Sequence, residues 1–403
     1  MKLVKSLLLG SVAGLAAVAG AQAADLPAKK AAAVEYVRVC STYGAGFFYI
    51  PGTETCLRVG GRVRAEYRYL EPNDREDDSI GFRARGRLNI DTRTATAYGL
   101  LRTYIRFEMT HDTGIYNPAD STVPNVDQAF VQFGGLTAGR AVSFFDNGDL
   151  PTEHFGTLRF SDAPNVNLFA YTFSFGNGFS ASLSLEEGRF AGIDDTFVDF
   201  DPDTDVTAGQ RTPDVVGQLN YSGTWGSAML AGAVHQLRSI ALTDAVTGLG
   251  FVPDTEYGFA VTFQGHVNLP MLAAGDALWI AATYADGALG YLGFDGSEVD
   301  DAVIDADGDI DTTQGWSVAG GLRHYWTPEI RQSVFGSYAS VEYGAGVTGA
   351  DFNEWRVGSN VIWSPVSGLD IGVEVLYANV DVDAPAVDND DRWEGRLRVQ
   401  RDF

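Results

Sequence analysis

Three segments of this chain alternate between charged and apolar side chains. Residues 62–69 read Arg62-Val63-Arg64-Ala65-Glu66-Tyr67-Arg68-Tyr69, with a charge at every even position and an apolar or aromatic group at every odd one. The pattern recurs over residues 82–91, through Arg83, Arg85 and Arg87, and over residues 101–109, through Arg102, Arg106 and Glu108. Successive side chains on a strand point to opposite faces, so each segment has one charged and one greasy face. In a soluble sandwich the greasy face meets a core. In an outer-membrane barrel it meets lipid, and the charged face lines a lumen.

The start of the chain favours the second reading. Lys2 and Lys5 precede an apolar run from about Leu7 to Ala19, followed by Ala21-Gln22-Ala23. This is the layout of a secretory signal peptide, expected to be cleaved after Ala23. The run is too short to serve well as a membrane helix, and no later stretch is long and apolar enough to be one. A membrane-resident chain of this kind must close its sheet, because lipid offers no partner to an open edge.

Strand-like segments lie near 57–70, 79–92, 98–110, 125–133, 136–144, 167–175, 179–188, 214–224, 226–238, 256–268, 276–285, 314–325, 331–343, 353–364, 368–380 and 391–403. That is about sixteen, and bacterial single-chain barrels have even strand numbers. The connections alternate in length. Short ones such as Gly134-Gly135 and Asn177-Gly178 have the residues of tight turns. Long ones fall near 71–78, 111–124, 145–166, 189–213, 239–255, 286–313, 344–352 and 381–390. Short periplasmic turns and long external loops are the expected rhythm of such a barrel. The fold class is therefore all-β: a 16-stranded antiparallel transmembrane β-barrel over 56–403, preceded by a signal peptide (1–23) and an N-terminal periplasmic segment (24–55).

The two cysteines, Cys40 and Cys56, are expected to form one disulfide, since the chain is exported and the count is even. Two cysteines without clustered histidines do not make a zinc site. The run Asp305-Ala306-Asp307-Gly308-Asp309-Ile310-Asp311 departs from a calcium-loop spacing, with Gly early and Ile where the turn glycine belongs. A solvated acidic loop, or diffuse divalent-cation binding at a lipopolysaccharide surface, fits it better. No metal and no cofactor are expected.

Composition narrows the function. The chain has 28 basic and 53 acidic residues, a net charge of −25, and loss of the signal peptide removes Lys2 and Lys5 and no acid, leaving −27. A nucleic-acid partner would need phosphate-neutralising cations in excess. The five histidines, His111, His154, His235, His266 and His324, are scattered and form no catalytic motif, which argues against an enzyme. The long loops are Asp-rich rather than adhesive.

The segment Cys40-Ser-Thr-Tyr-Gly-Ala-Gly-Phe-Phe-Tyr-Ile-Pro-Gly-Thr-Glu-Thr-Cys56 resembles the alphaproteobacterial porin family, the general diffusion porins of the Brucella and Rhizobium type. So do Leu57 to Tyr67, and Gln128 to Arg140 continuing into Ser143-Phe144-Phe145-Asp146. The terminal Phe403 fits the aromatic signal such barrels end on; Arg401 interrupts the apolar row before it. The resemblance implies a homotrimer in the outer membrane, in contact with lipid and lipopolysaccharide. It also implies a third loop folded inward to narrow a pore for small hydrophilic solutes and ions.

If the last strand pairs with the first, Arg396 and Arg398 join Arg62, Arg64, Arg68, Arg83, Arg85, Arg87, Arg102 and Arg106 in one basic wall. The third loop has Asp146, Asp149, Glu153 and Asp162, which would face that wall across a narrow channel. Opposed rows of charge orient dipolar solutes and sort ions by sign. The competing structural role for the arginines is pairing with Glu66, Asp91, Glu108 or Glu394; for the loop acids it is an outward solvated loop. The acid excess tilts the expected ion preference towards cations. A substrate-specific channel is the alternative, and a row of lumen aromatics would favour it.

Overall fold

A computed structural model describes residues 38–117, 121–195, 205–243, 247–294, 299–305, 307–344, 351–383 and 390–403. The expected signal peptide lies outside them, as do residues 24–37.

Sixteen strands form one closed antiparallel sheet: β1 Cys56–Leu70, β2 Ile80–Thr96, β3 Gly99–Gly114, β4 Ser121–Phe133, β5 Leu136–Val142, β6 Asn165–Gly176, β7 Phe179–Glu186 and β8 Asp214–Gly223, then β9 Gly226–Leu237, β10 Glu256–Asn268, β11 Ala277–Asp286, β12 Gln314–Tyr325, β13 Ile330–Glu342, β14 Phe352–Val366, β15 Leu369–Val382 and β16 Asp390–Asp402. Each pairs with its neighbours in sequence, and β16 closes on β1 with Glu66 opposite Arg398. Closure continues past the last strand, where the Gly61 and Phe403 backbones exchange two hydrogen bonds.

The alternation read from the sequence sets the two faces. Val63, Phe82, Phe107, Leu183, Phe263, Trp316 and Val373 all point outward, exposed. Such a band is tolerable only against lipid. Turns form where glycine permits a left-handed backbone, as at Gly134 (φ +58°) and at Gly178 (φ +86°) beside Asn177. A bulge in β4, opposite Arg106 and Phe107, leaves Asp127 unpaired in the ladder. It lets Asp127 and the adjacent Gln128 both turn to the lumen.

Cys40 and Cys56 are disulfide-bonded. The bridge closes a loop whose two-residue strand, Phe48–Tyr49, pairs with the start of β1. Phe47 is buried against it.

Three connections, residues 143–164 (L3), 187–213 (L4) and 287–313 (L6), shape the interior through their described residues. L4 and L6 share a small sheet in which Ala302–Ile304 runs parallel to Ile193–Asp195 and antiparallel to Ile310–Thr312. In the acidic turn of L6, Asp305 Oδ1 accepts the Asp307 and Asp309 amides at 3.0 and 2.9 Å, so that carboxylate caps its own turn.

Beside this sheet Asp300 sits near Asp194, Asp301 and Asp205. Burial, then those carboxylates, push it up to about 7. A carboxyl raised in the folded state stabilises it below the unfolded pKa, and the contribution is lost as pH rises through the folded one. Exchange of the sheet's amides should therefore accelerate beyond the intrinsic rate between about pH 4 and pH 8. Asp300→Asn should reduce the excess. Equal excess in wild type and D300N would show that Asp300 is not its source.

Candidate functional site: the lumen constriction

The inner face of β1, β2, β3 and β16 is lined with arginines because their even positions share one parity through the registers. Register places Arg62 opposite Arg87, Arg64 opposite Arg85, and Arg68 opposite Arg396. Like charges directly across a ladder are destabilising, so each needs an answering carboxylate. Most have one. Arg62 Nε reaches Asp402 at 2.6 Å, Arg68 Glu394 at 2.7 Å, Arg83 Asp112 at 2.7 Å, and Arg398 Glu66 at 2.6 Å. Arg87 pairs with Glu108 and Arg396 with Glu394. Arg102 shares Asp91 with Arg93, and Arg106 reaches Asp127 at 3.2 Å. Arg85 donates to Thr110 at 3.0 Å, with Glu108 3.8 Å away. Among the arginines that line the cavity between L3 and the wall, Arg64 is the exception. Its Nε donates to Gln400 Oε1 at 2.8 Å, and no carboxylate of the described residues lies within 4.0 Å.

L3 turns into the barrel and is tied to the wall along its length. Ser143 Oγ and the Phe144 amide donate to Glu186 on β7, at 2.6 and 2.9 Å. The Asn147 amide reaches Gln264 on β10 at 2.8 Å. Across the lumen, the Phe155 and Gly156 amides each donate to Glu374 on β15 at 2.6 Å. Arg159 pairs with Glu354 on β14 at 2.5 Å. The Arg398 guanidinium lies 3.9 Å from the centroid of the Phe155 ring.

Between L3 and the wall lies a cavity of about 720 Å³. Arg62, Arg64 and Arg398 line one side; Glu153, His154 and Asp162 line another. Arg331, Asp370 and Asp402 also contribute, with Arg189 and Gly290 from L4 and L6. A second cavity, of about 560 Å³, holds Arg58, Arg93, Arg102 and Arg106 beside Tyr104 and Phe130. Asp402 lines both.

The ten arginines named from the sequence thus lie on four adjacent strands, but only Arg62, Arg64 and Arg398 line the first cavity, and Arg102 and Arg106 the second. Of the loop acids, Glu153 and Asp162 line the first cavity. Glu153 is held by Arg331 at 2.9 Å, and Asp162 lies 3.5 Å from His154. Asp146 is buried behind the loop, near Gln264 and Arg189. Asp149 is exposed and lines neither cavity. Arg189, Arg331 and Asp370 were missed. Arg331 and Asp370 follow the lumen parity of their strands, which could have found them; Arg189 lies in a loop, where no parity exists.

The porin subfamily profile matches residues 25–397. Porin Omp2b of Brucella suis is 32% identical over 415 residues, covering 99% of each chain, and Porin Omp2b of Brucella abortus matches to the same extent. Among solved structures, the outer membrane channel DcaP of Acinetobacter baumannii shares the fold, with a TM-score of 0.69 at 15% identity over 88% of this chain and 99% of its own. OmpT of Vibrio cholerae in its trimer form aligns with a TM-score of 0.52 at 12% identity, over 87% of this chain and 100% of its own. With a closed sixteen-strand barrel and a narrowed polar lumen, this chain belongs to the porin subfamily: it is a diffusion channel of the bacterial outer membrane and not an enzyme.

Proposed function

We propose that small hydrophilic solutes and ions cross this channel through a constriction bounded by Arg62, Arg64 and Arg398 on the wall and by Glu153 and Asp162 on L3. The observation that carries the reading is Arg64. It faces another arginine across the ladder, has no carboxylate among the described residues within 4.0 Å, and lines the cavity. A fold that answers most of its lumen arginines has left this one available to a solute.

The reading also fixes a sign. Five guanidiniums and four carboxylates line the first cavity, so the acid excess of the whole chain does not reach it. The narrowest section controls permeability, and a weak anion preference is expected, opposite to what the overall charge suggests. A homotrimer, as in OmpT, with lipid and lipopolysaccharide around it, completes the proposed assembly. A substrate-specific channel is the second reading. Tyr104 and Phe130, 5.3 Å apart beside Arg102 in the second cavity, favour it.

Single-channel current across a planar bilayer under a salt gradient tests the first reading. Ohmic steps with a reversal potential on the anion side are expected. Absence of conductance from folded protein would rule out a general pore, and a firm cation preference would reject the role given to Arg64.

A further inference from the structure

The two halves of the inner wall differ in chemistry. Arginine crowds β1 to β3 and β16, but β9 to β13 turn alanines inward: Ala231, Ala233, Ala260, Ala281, Ala319 and Ala339 are all buried. A water-filled lumen leaves such a row exposed. Here L6 and L3 cover it. The 3₁₀ turn Leu289–Leu292 of L6 is buried throughout, and Tyr291 packs on Phe145 of L3 with ring centroids 4.5 Å apart. These side chains form one buried cluster with Ala231, Ala233, Ala260 and Ala339, while Ala281 and Ala319 pack in a second with Leu158 and Phe160 of L3.

A buried polar network fastens L6 to the wall. Asp301 accepts the Leu289 amide at 2.5 Å and the Ala191 amide at 2.6 Å, and faces His235 Nε2 at 3.9 Å. His235 Nδ1 lies 2.8 Å from Asp214 Oδ1, and the Tyr291 hydroxyl donates to Asp214 Oδ2 at 2.7 Å. Asp214, His235, Tyr291 and Asp301 are all fully buried. Arg189 of L4 then joins the loops, donating to Ser161 Oγ of L3 at 2.8 Å and to the Gly290 carbonyl of L6 at 2.7 Å. The packing is tight: a Cβ on Gly290 would sit 2.5 Å from the Arg189 carbonyl oxygen, and one on Gly293 (φ +85°) would collide with the Phe160 carbonyl.

We infer that the size limit of this channel is set by L3, L4 and L6 acting as one plug, with Asp214, His235 and Asp301 as the latch that seats L6 and Arg189 as the tie between the loops. The inference rests on the lumen being the permeation route. Arg189, Gly290 and Phe294 line the first cavity, so L4 and L6 form one of its sides directly. L6 also backs L3: Arg159 of L3 donates to the Gly293 carbonyl at 3.2 Å. The plug fills the alanine half of the barrel and leaves a passage along the arginine half. Asp301 and Arg189 are positioning residues: they hold the body that excludes, and a solute meets that body.

Asp301→Ala and Tyr291→Ala test the latch from its two ends, the second without removing a buried charge. Wild type and both variants are compared for single-channel conductance and for the largest sugar that swells proteoliposomes, with heat-modifiable gel migration as the check of a folded barrel. The expected result is a conductance gain of about twofold, as cross-section is returned to the lumen, together with entry of sugars the wild type excludes. A change in thermal stability alone, with conductance and sugar limit at wild-type values in either folded variant, would overturn the plug. A wild type that conducts nothing would instead overturn the diffusion reading itself, so the two failures are distinguishable.

Discussion

Replacing Arg64 with glutamate should turn the channel towards cations. A unit charge about 4 Å from a permeating ion is worth about 1 kcal/mol at the dielectric of bulk water, roughly fivefold in local ion concentration. Arg64→Glu changes two charge units at the cavity wall and acts oppositely on anions and cations, so the anion-to-cation permeability ratio should fall by at least an order of magnitude at low salt. Arg64→Ala should give about half of that change in free energy. Screening at high ionic strength should shrink both effects. Replacement of Arg83, which is paired with Asp112 and lies outside the first cavity, should move the reversal potential much less. A folded R64E channel with wild-type selectivity would remove Arg64 from the constriction.

The second large effect is expected at Glu374. Its buried carboxylate accepts the Phe155 and Gly156 amides and the Asn360 side chain, the last at 3.0 Å. Glu374→Ala leaves two backbone donors at the tip of L3 without their acceptor, at about 1–3 kcal/mol each where water cannot reach them. That cost exceeds what the nearby contact of Arg396 with the Phe155 carbonyl can hold. The tip should leave the wall, and single-channel records should become noisy, with larger and variable conductance. Protease should cut between residues 152 and 158 in E374A and spare the wild type. Glu374→Gln keeps one acceptor oxygen and should be intermediate. Quiet traces and resistance to cleavage in E374A would mean that Arg159 and Glu153 suffice to hold the loop.

Much of the barrel is legible in the sequence because every strand must satisfy the same two-faced environment. Alternation at Arg62 to Tyr69 gives parity, and Asn177-Gly178 gives a turn. The predicted strands at 256–268 and 314–325 match the observed bounds. Boundaries drift where pairing outlasts the alternation, as in β4, which continues through Pro124 to Ser121. The loops are harder for a physical reason. L3 is held by Glu186, Gln264, Glu354 and Glu374, partners up to 219 residues distant, and nothing local announces them. The turn at Leu289-Gly290-Tyr291-Leu292 reads as ordinary loop. Its signature lies elsewhere, in inward alanines on strands whose lumen face should be polar. The sequence reading also assigned four loop acids to one row. Asp146 is drawn instead into the packing behind the loop, since a loop that crosses a lumen has a back as well as a front.

The closing pair of strands makes assembly and selectivity depend on each other. The contacts of Arg62 with Asp402, Arg64 with Gln400, Arg68 with Glu394 and Arg398 with Glu66 all span the two ends of the polypeptide, more than 300 residues apart in sequence. Until β16 docks on β1, neither edge has its partners across the seam and the constriction has only one bank. A chain stalled before closure would therefore be a sheet with mismatched charge at its seam and no filter, rather than a leaky version of the finished channel. Quality control that recognises an unclosed seam would also be inspecting the filter.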